Sequence, residues 1–196
     1  MTAVVAPPSP AGDGPGGDGG SRWVLVEPGS SWLACGQHAI GSGHVDERDR
    51  RLSHEELGVA ELFTSAGHDV RSLPEFRRGG RRADLDVCGA SVEVKSFLPL
   101  GERDGPPSPQ SVANKLLKAV GQSDAVVLYG KGSGLTAGAV RSGLARLAAD
   151  GRAGSLSAVR AVGDGFDLAW VRRPTIGRDL RPQGAQVQPP RPQLGL

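Results

Sequence analysis

Residues 83–95 read Ala-Asp-Leu-Asp-Val-Cys-Gly-Ala-Ser-Val-Glu-Val-Lys, and this stretch decides the fold. Apolar and polar residues alternate on either side of Cys88-Gly89-Ala90-Ser91, the pattern of a β-hairpin. A two-residue turn on Gly89-Ala90, with Gly in the first position as a type II′ turn prefers, pairs Cys88 with Ser91, Asp86 with Glu93 and Asp84 with Lys95. Side chains alternate with period two, so Asp84, Asp86, Glu93 and Lys95 share one face while Leu85, Val87, Val92 and Val94 occupy the other. Two carboxylates directly opposed at ~5 Å, in an effective dielectric near 20, repel by on the order of 3 kcal/mol. Lys95 relieves part of this, and a divalent cation with hard oxygen preferences would relieve the rest. The alternative is a solvated face on an edge hairpin, where screening reduces the cost to below ~1 kcal/mol.

Upstream of the hairpin, Ser53-His54-Glu55-Glu56 has the form of a capping box ahead of the periodic residues Leu57, Val59, Ala60, Leu62, Phe63 and Ala66, which stop at Gly67. This predicts a helix. Val70 to Leu73 reads as a strand ended by Pro74, and residues 77–82 as an Arg/Gly loop. Downstream, 98–110 is a Pro/Gly loop, Ser111 caps a helix to about Gln122, and Ala125–Tyr129 is an apolar run suited to a strand buried on both faces. A helix over 136–149 and a hairpin of 159–162 with 166–171 complete the order. Trp23–Val26 is a further short strand, and no internal repeat is present.

The chain has 196 residues, of which 30 are Gly and 15 Pro. Residues 1–21 and 174–196 concentrate them and are expected to be disordered tails, which leaves 22–173 as one α/β domain large enough for a real core. No apolar run approaches the ~20 residues of a membrane helix, and no classical signal peptide is evident. Cys35 and Cys88 make no disulfide framework. The expectation is a cytoplasmic protein, or one secreted by a dedicated export system, with no membrane partner. Net charge is +2, but Arg71, Arg77, Arg78, Arg81 and Arg82 cluster against Glu75, a patch suited to a phosphate backbone. Cys35, His38 and His44 are too irregularly spaced to favour a zinc site.

The order of elements, with Ala83-Asp84 followed by Glu93-Val94-Lys95, resembles the PD-(D/E)XK nuclease superfamily, Ala83 standing where the eponymous Pro would be. Glu56–Gly67 (ELGVAELFTSAG), Leu73-Pro74-Glu75, the Arg/Gly loop, Ala83–Lys95 and Lys118-Ala-Val-Gly-Gln122 further resemble the C-terminal tRNA-nuclease domain of CdiA-type and WapA-type toxins, over about residues 50 to 172. The resemblance implies a restriction-endonuclease-like core, a central mixed sheet flanked by helices. It also implies that Asp84 and Glu93 ligate a divalent metal, Mg²⁺ or Mn²⁺ with Zn²⁺ as a third option. Lys95 would orient the attacking water or stabilise the charged transition state, and Glu56 would complete the metal site from the helix. Phosphodiester hydrolysis needs such a cation, a deprotonated water and a positive group where charge develops.

Glu56 has a competing role, since three residues after Ser53 it closes the capping box. Asp86 either assists the metal or only shares its face. Lys118 and Gln122 match a position near the site in related nucleases but are also ordinary helix-end residues, and Arg77, Arg78, Arg81 and Arg82 either clamp phosphate or form a solvated turn. The favoured function is a metal-dependent endonuclease acting on RNA, tRNA in particular, as a toxin with a cognate immunity protein. The alternatives are a DNA endonuclease of the repair or junction-resolving type and a catalytically silent nuclease fold used as a binding module.

Overall fold

A computed structural model describes residues 21–29, 32–33, 42–74, 83–102 and 105–174. Of the expected tails, Ser21 and Pro174 fall in strands and the rest, with the Arg77–Arg82 cluster, Glu75, Cys35 and His38, lies outside the described residues. The described residues build an α/β structure of three helices on a mixed sheet of eight strands. In chain order these are β1 (Ser21–Val26), β2 (Val45–Asp46), α1 (His54–Thr64), β3 (Val70–Ser72), β4 (Leu85–Val87), β5 (Ala90–Ser96), α2 (Pro109–Ala119), β6 (Ala125–Tyr129), α3 (Ala137–Ala149), β7 (Ala158–Gly163) and β8 (Phe166–Pro174). Their order across the sheet is β1-β8-β7-β6-β5-β4-β3-β2. No described helix is long and apolar enough to cross a membrane.

The centre of the sheet is parallel because β5, β6 and β7 are joined by the crossover helices α2 and α3. Both crossovers advance across the sheet in the same direction, so right-handed connections place both helices on one face. There Val112 and Leu116 of α2 and Val140 and Leu144 of α3 pack on Val126, Leu128, Val159 and Ala161. The other face belongs to α1, whose Val59, Ala60 and Phe63 meet Val70, Leu85, Val87, Val92, Val94 and Val127. Ala125, Val126, Val127 and Leu128 are all buried, as expected of a strand covered on both sides.

Helix α1 starts where its sequence says it should. Ser53 accepts a hydrogen bond from the Glu56 backbone, the Glu56 carboxylate accepts one from the Ser53 backbone, and Gly67 turns the chain at φ +83°. Helix α2 corrects the expected cap. Ser108 caps it, Pro109 occupies the first turn, where a missing N–H costs nothing, and the helix ends at Ala119 rather than Gln122. Strand β2 was not expected: it pairs in parallel with β3 through Val45 and Val70, and a two-residue strand has too little periodicity to be read.

Helices α2 and α3 cross closely enough that Gly143 has no room for a side chain. A Cβ there would lie 2.6 Å from Val112 Cγ1 and 3.1 Å from the Pro109 carbonyl oxygen. Gly143→Ala is therefore expected to destabilise the fold by about 1–3 kcal/mol through overpacking, although Ala is the better helix former by about 1 kcal/mol. Urea unfolding measures the difference, and a rise in stability would show that this crossing has slack.

Candidate active site

The hairpin forms, with a different turn. Its two loop residues are Cys88 and Gly89, at φ +52° and +85°, so both central positions are left-handed as a type I′ turn requires. Pairing is Leu85 with Val92, Asp86 with Ser91 and Val87 with Ala90, two residues away from the expected register. The expected pairs Asp86–Glu93, Asp84–Lys95 and Cys88–Ser91 are therefore corrected. The reason is local: the Asp86 carboxylate accepts a hydrogen bond from the Gly89 backbone N–H at 2.9 Å, which closes the tighter turn.

A shift of two leaves the faces unchanged, so Asp84, Asp86, Glu93 and Lys95 still share one side of the sheet. What changes is the neighbourhood. The Asp84 backbone N–H bonds the Val92 carbonyl at 3.1 Å, and the Asp84 carboxylate accepts from the Val94 backbone N–H at 2.8 Å, so Asp84 brackets Glu93. Asp86 is drawn away, serving the turn and lying 3.9 Å from Arg71 across β3.

Glu93 projects from the parallel centre of the sheet and is only 2% exposed. One carboxylate oxygen accepts a charge-assisted hydrogen bond from Lys95 Nζ, while the other, Oε2, is buried without a partner. Burial is the largest influence on this carboxyl and, with the neighbouring Asp84 charge, outweighs Lys95, so its pKa is pushed up to about 7. Asp84 is raised too, by burial first and then by the Glu56 charge, against the Val94 N–H, Lys95 and Arg50.

Glu56 joins this group through Arg50. The guanidinium binds both Glu56 oxygens at 2.7 Å, donates to the Leu73 carbonyl at 2.9 Å and to the Asp84 carbonyl at 3.2 Å, and lies 3.5 Å from Asp84 Oδ1. Burial works against ionisation of Glu56, but Arg50 and the Ser53 backbone N–H together hold its pKa below the ordinary value. Arg50 is the site residue that sequence reading missed. It is one of 19 arginines, and nothing in the run Asp49-Arg50-Arg51 distinguishes it.

Asp84, Glu93, Lys95, Arg50 and Glu56 are thus brought together. Lys118 stands in the last turn of α2, and Gln122 lies between α2 and β6. Among the described residues no three acid, imidazole or thiol side chains form a ready group for a metal ion. Two carboxylates are nevertheless a normal protein share for Mg²⁺, which keeps waters and takes substrate phosphate oxygens as its other ligands. Asp84, just ahead of β4, and the partnerless Glu93 Oε2 on β5 fit that share, being hard oxygens. On the same face, over β3 and β4, Arg71 is half-exposed.

No protein-family model matches the chain, and no curated protein matches it. Among solved structures it is similar to a CdiA-CT/CdiI toxin and immunity complex from Burkholderia pseudomallei, with 14% identity and a TM-score of 0.42 over 66% of this chain and 99% of that one.

Proposed function

We propose that the chain is a divalent-metal-dependent endonuclease built on a PD-(D/E)XK-type core, with RNA, and tRNA first, as its substrate. The reading is supported above all by Glu93, a buried carboxylate with an unpartnered oxygen, flanked by Asp84 and bound by Lys95. Leaving a buried acceptor unsatisfied costs about 1–3 kcal/mol. A hard cation would satisfy it.

Asp84 and Glu93 would hold the ion, Mg²⁺ or Mn²⁺ with Zn²⁺ the third candidate. Once bound, it supplies a Lewis acid for the scissile phosphate and acidifies a water. Lys95 places a compact ammonium beside the same carboxylate, where it orients that water and offsets the charge that develops on phosphorus oxygens. Both Glu56 oxygens are engaged by Arg50 and Ser53, so Glu56 acts here as a positioning residue. The face over β3 and β4 gives a nucleic-acid strand its approach, with Arg71 on it. Arg77, Arg78, Arg81 and Arg82 are proposed to hold phosphates flanking the cut, and a toxin of this kind brings a cognate immunity protein as its partner.

The purified chain should cleave total tRNA in the presence of Mg²⁺ or Mn²⁺ and stop on addition of a chelator, read on denaturing gels. Supercoiled plasmid in parallel tests the DNA reading, which plasmid cleavage without tRNA cleavage would establish. Failure to cut either polymer with any of the three metals would leave a silent nuclease fold acting as a binding module.

A further inference from the structure

The acids of the site are already partly neutralised by the protein itself. Three carboxylates, Glu56, Asp84 and Glu93, face two fixed cations, Arg50 and Lys95. Fully ionised, the cluster carries one net negative charge. One divalent ion makes it positive by one, which a single phosphodiester anion then balances. Among the described residues of the cluster, a second divalent ion would find no carboxylate to spare: Glu56 is bound at both oxygens by Arg50 at 2.7 Å and again by the Ser53 N–H at 2.7 Å. It would also sit against a guanidinium, whose side chain is 14% exposed and therefore poorly screened.

We propose that Arg50 is a resident counter-cation that limits this site to one divalent ion and weakens that ion's hold. The inference rests on the metal-site reading above and deepens it. Arg50 is suited to the role because it cannot lose its charge and because its fork is fixed at several points. Its contacts to the Leu73 and Asp84 carbonyls anchor it independently of the carboxylates, so the charge stays in place when an ion enters. Across the cluster the division of labour is then plain. Arg50 sets how much charge the site accepts, and the partnerless Glu93 oxygen sets where the ion goes.

The test is a Mn²⁺ titration of the full chain, followed by calorimetry and by the loss of the free Mn²⁺ electron paramagnetic resonance signal. Wild type should take up one Mn²⁺ per chain. Arg50→Gln should bind it about tenfold more tightly, the effect of losing one charge in partly solvated surroundings, and Arg50→Lys should stay within about threefold of wild type. Two ions in wild type would overturn the proposal, as would unchanged or weaker binding by a folded Arg50→Gln. Should Arg50→Gln fail to fold by circular dichroism, the wild-type stoichiometry decides. No uptake by wild type at millimolar Mn²⁺ sinks the metal-site reading itself, a result distinct from two-ion uptake.

Discussion

Lys95→Ala is expected to slow phosphodiester cleavage by about a hundredfold to a thousandfold, the usual cost of removing one positioned group that meets developing charge. The chain should stay folded, because the side chain lies at the edge of the buried core and is 19% exposed. A second effect follows from the Glu93 partner. Lys95 is the main group favouring the ionised form of this buried carboxyl, so its loss drives Glu93 further toward the protonated state. Mn²⁺ binding by the variant should therefore depend more steeply on pH than that of wild type, tightening as pH rises, while cleavage does not recover with it. Lys95→Arg should not rescue the rate, since a broad guanidinium cannot approach one water and one oxygen as an ammonium does. Cleavage of tRNA across pH, with metal affinity measured on the same samples, separates the two effects. Wild-type rates in Lys95→Ala would remove Lys95 from the chemistry.

The second large effect is on stability. The Glu93 carboxyl moves from its ordinary 4.5 to about 7 on folding, because burial disfavours the charge. Below pH 4.5 it is protonated both folded and unfolded and has no effect. Between 4.5 and 7 the folded state holds a proton that the unfolded chain has released, so stability falls as pH rises, and above 7 the loss is complete. At about 1.4 kcal/mol per tenfold change in proton affinity, the total is about 3 kcal/mol. Asp84, also raised, acts in the same direction, whereas Glu56, held low, contributes stability that is lost on acidification. Comparison with Glu93→Gln removes this carboxyl together with its interaction with Asp84. Urea unfolding at pH 4.5, 6 and 8 should show wild type losing about 3 kcal/mol relative to the variant, and Mg²⁺ or Mn²⁺ at a hundred times its Kd should return about 2.7 kcal/mol to wild type at pH 8. Parallel stability curves for the two proteins would mean that Glu93 titrates as an ordinary carboxyl.

Much of the architecture is legible in the chain because it depends on local rules. The capping box at Ser53–Glu56, the apolar run Ala125–Tyr129, the sheet-facing stripes of α2 and α3, and the shared face of Asp84, Glu93 and Lys95 are each set by residues a few positions apart. Alternation has a blind spot, however. A register error of two residues leaves every side chain on its expected face, so sequence pattern cannot distinguish a turn on Gly89-Ala90 from the observed turn on Cys88-Gly89. Only the left-handed backbone of Cys88 and the Asp86 hydrogen bond to Gly89 decide it, and that choice brings Asp84 rather than Asp86 beside Glu93.

The chemistry of the site lies further from the reach of sequence. Which carboxylate is buried depends on its place in the parallel centre of the sheet, next to β6, a strand formed more than 30 residues later. Arg50 meets Asp84 across 34 residues of chain, and no periodicity links them. The pairing of β1 with β8 joins the two ends of the described chain, again through backbone contacts that carry no local signature. Sequence alone determined which groups exist and on which side of each element they stand, because those follow from bond geometry and turn chemistry. Tertiary structure decided their distances, their exposure to water and hence their protonation, because electrostatic energy depends on separation and surroundings that only the folded chain creates.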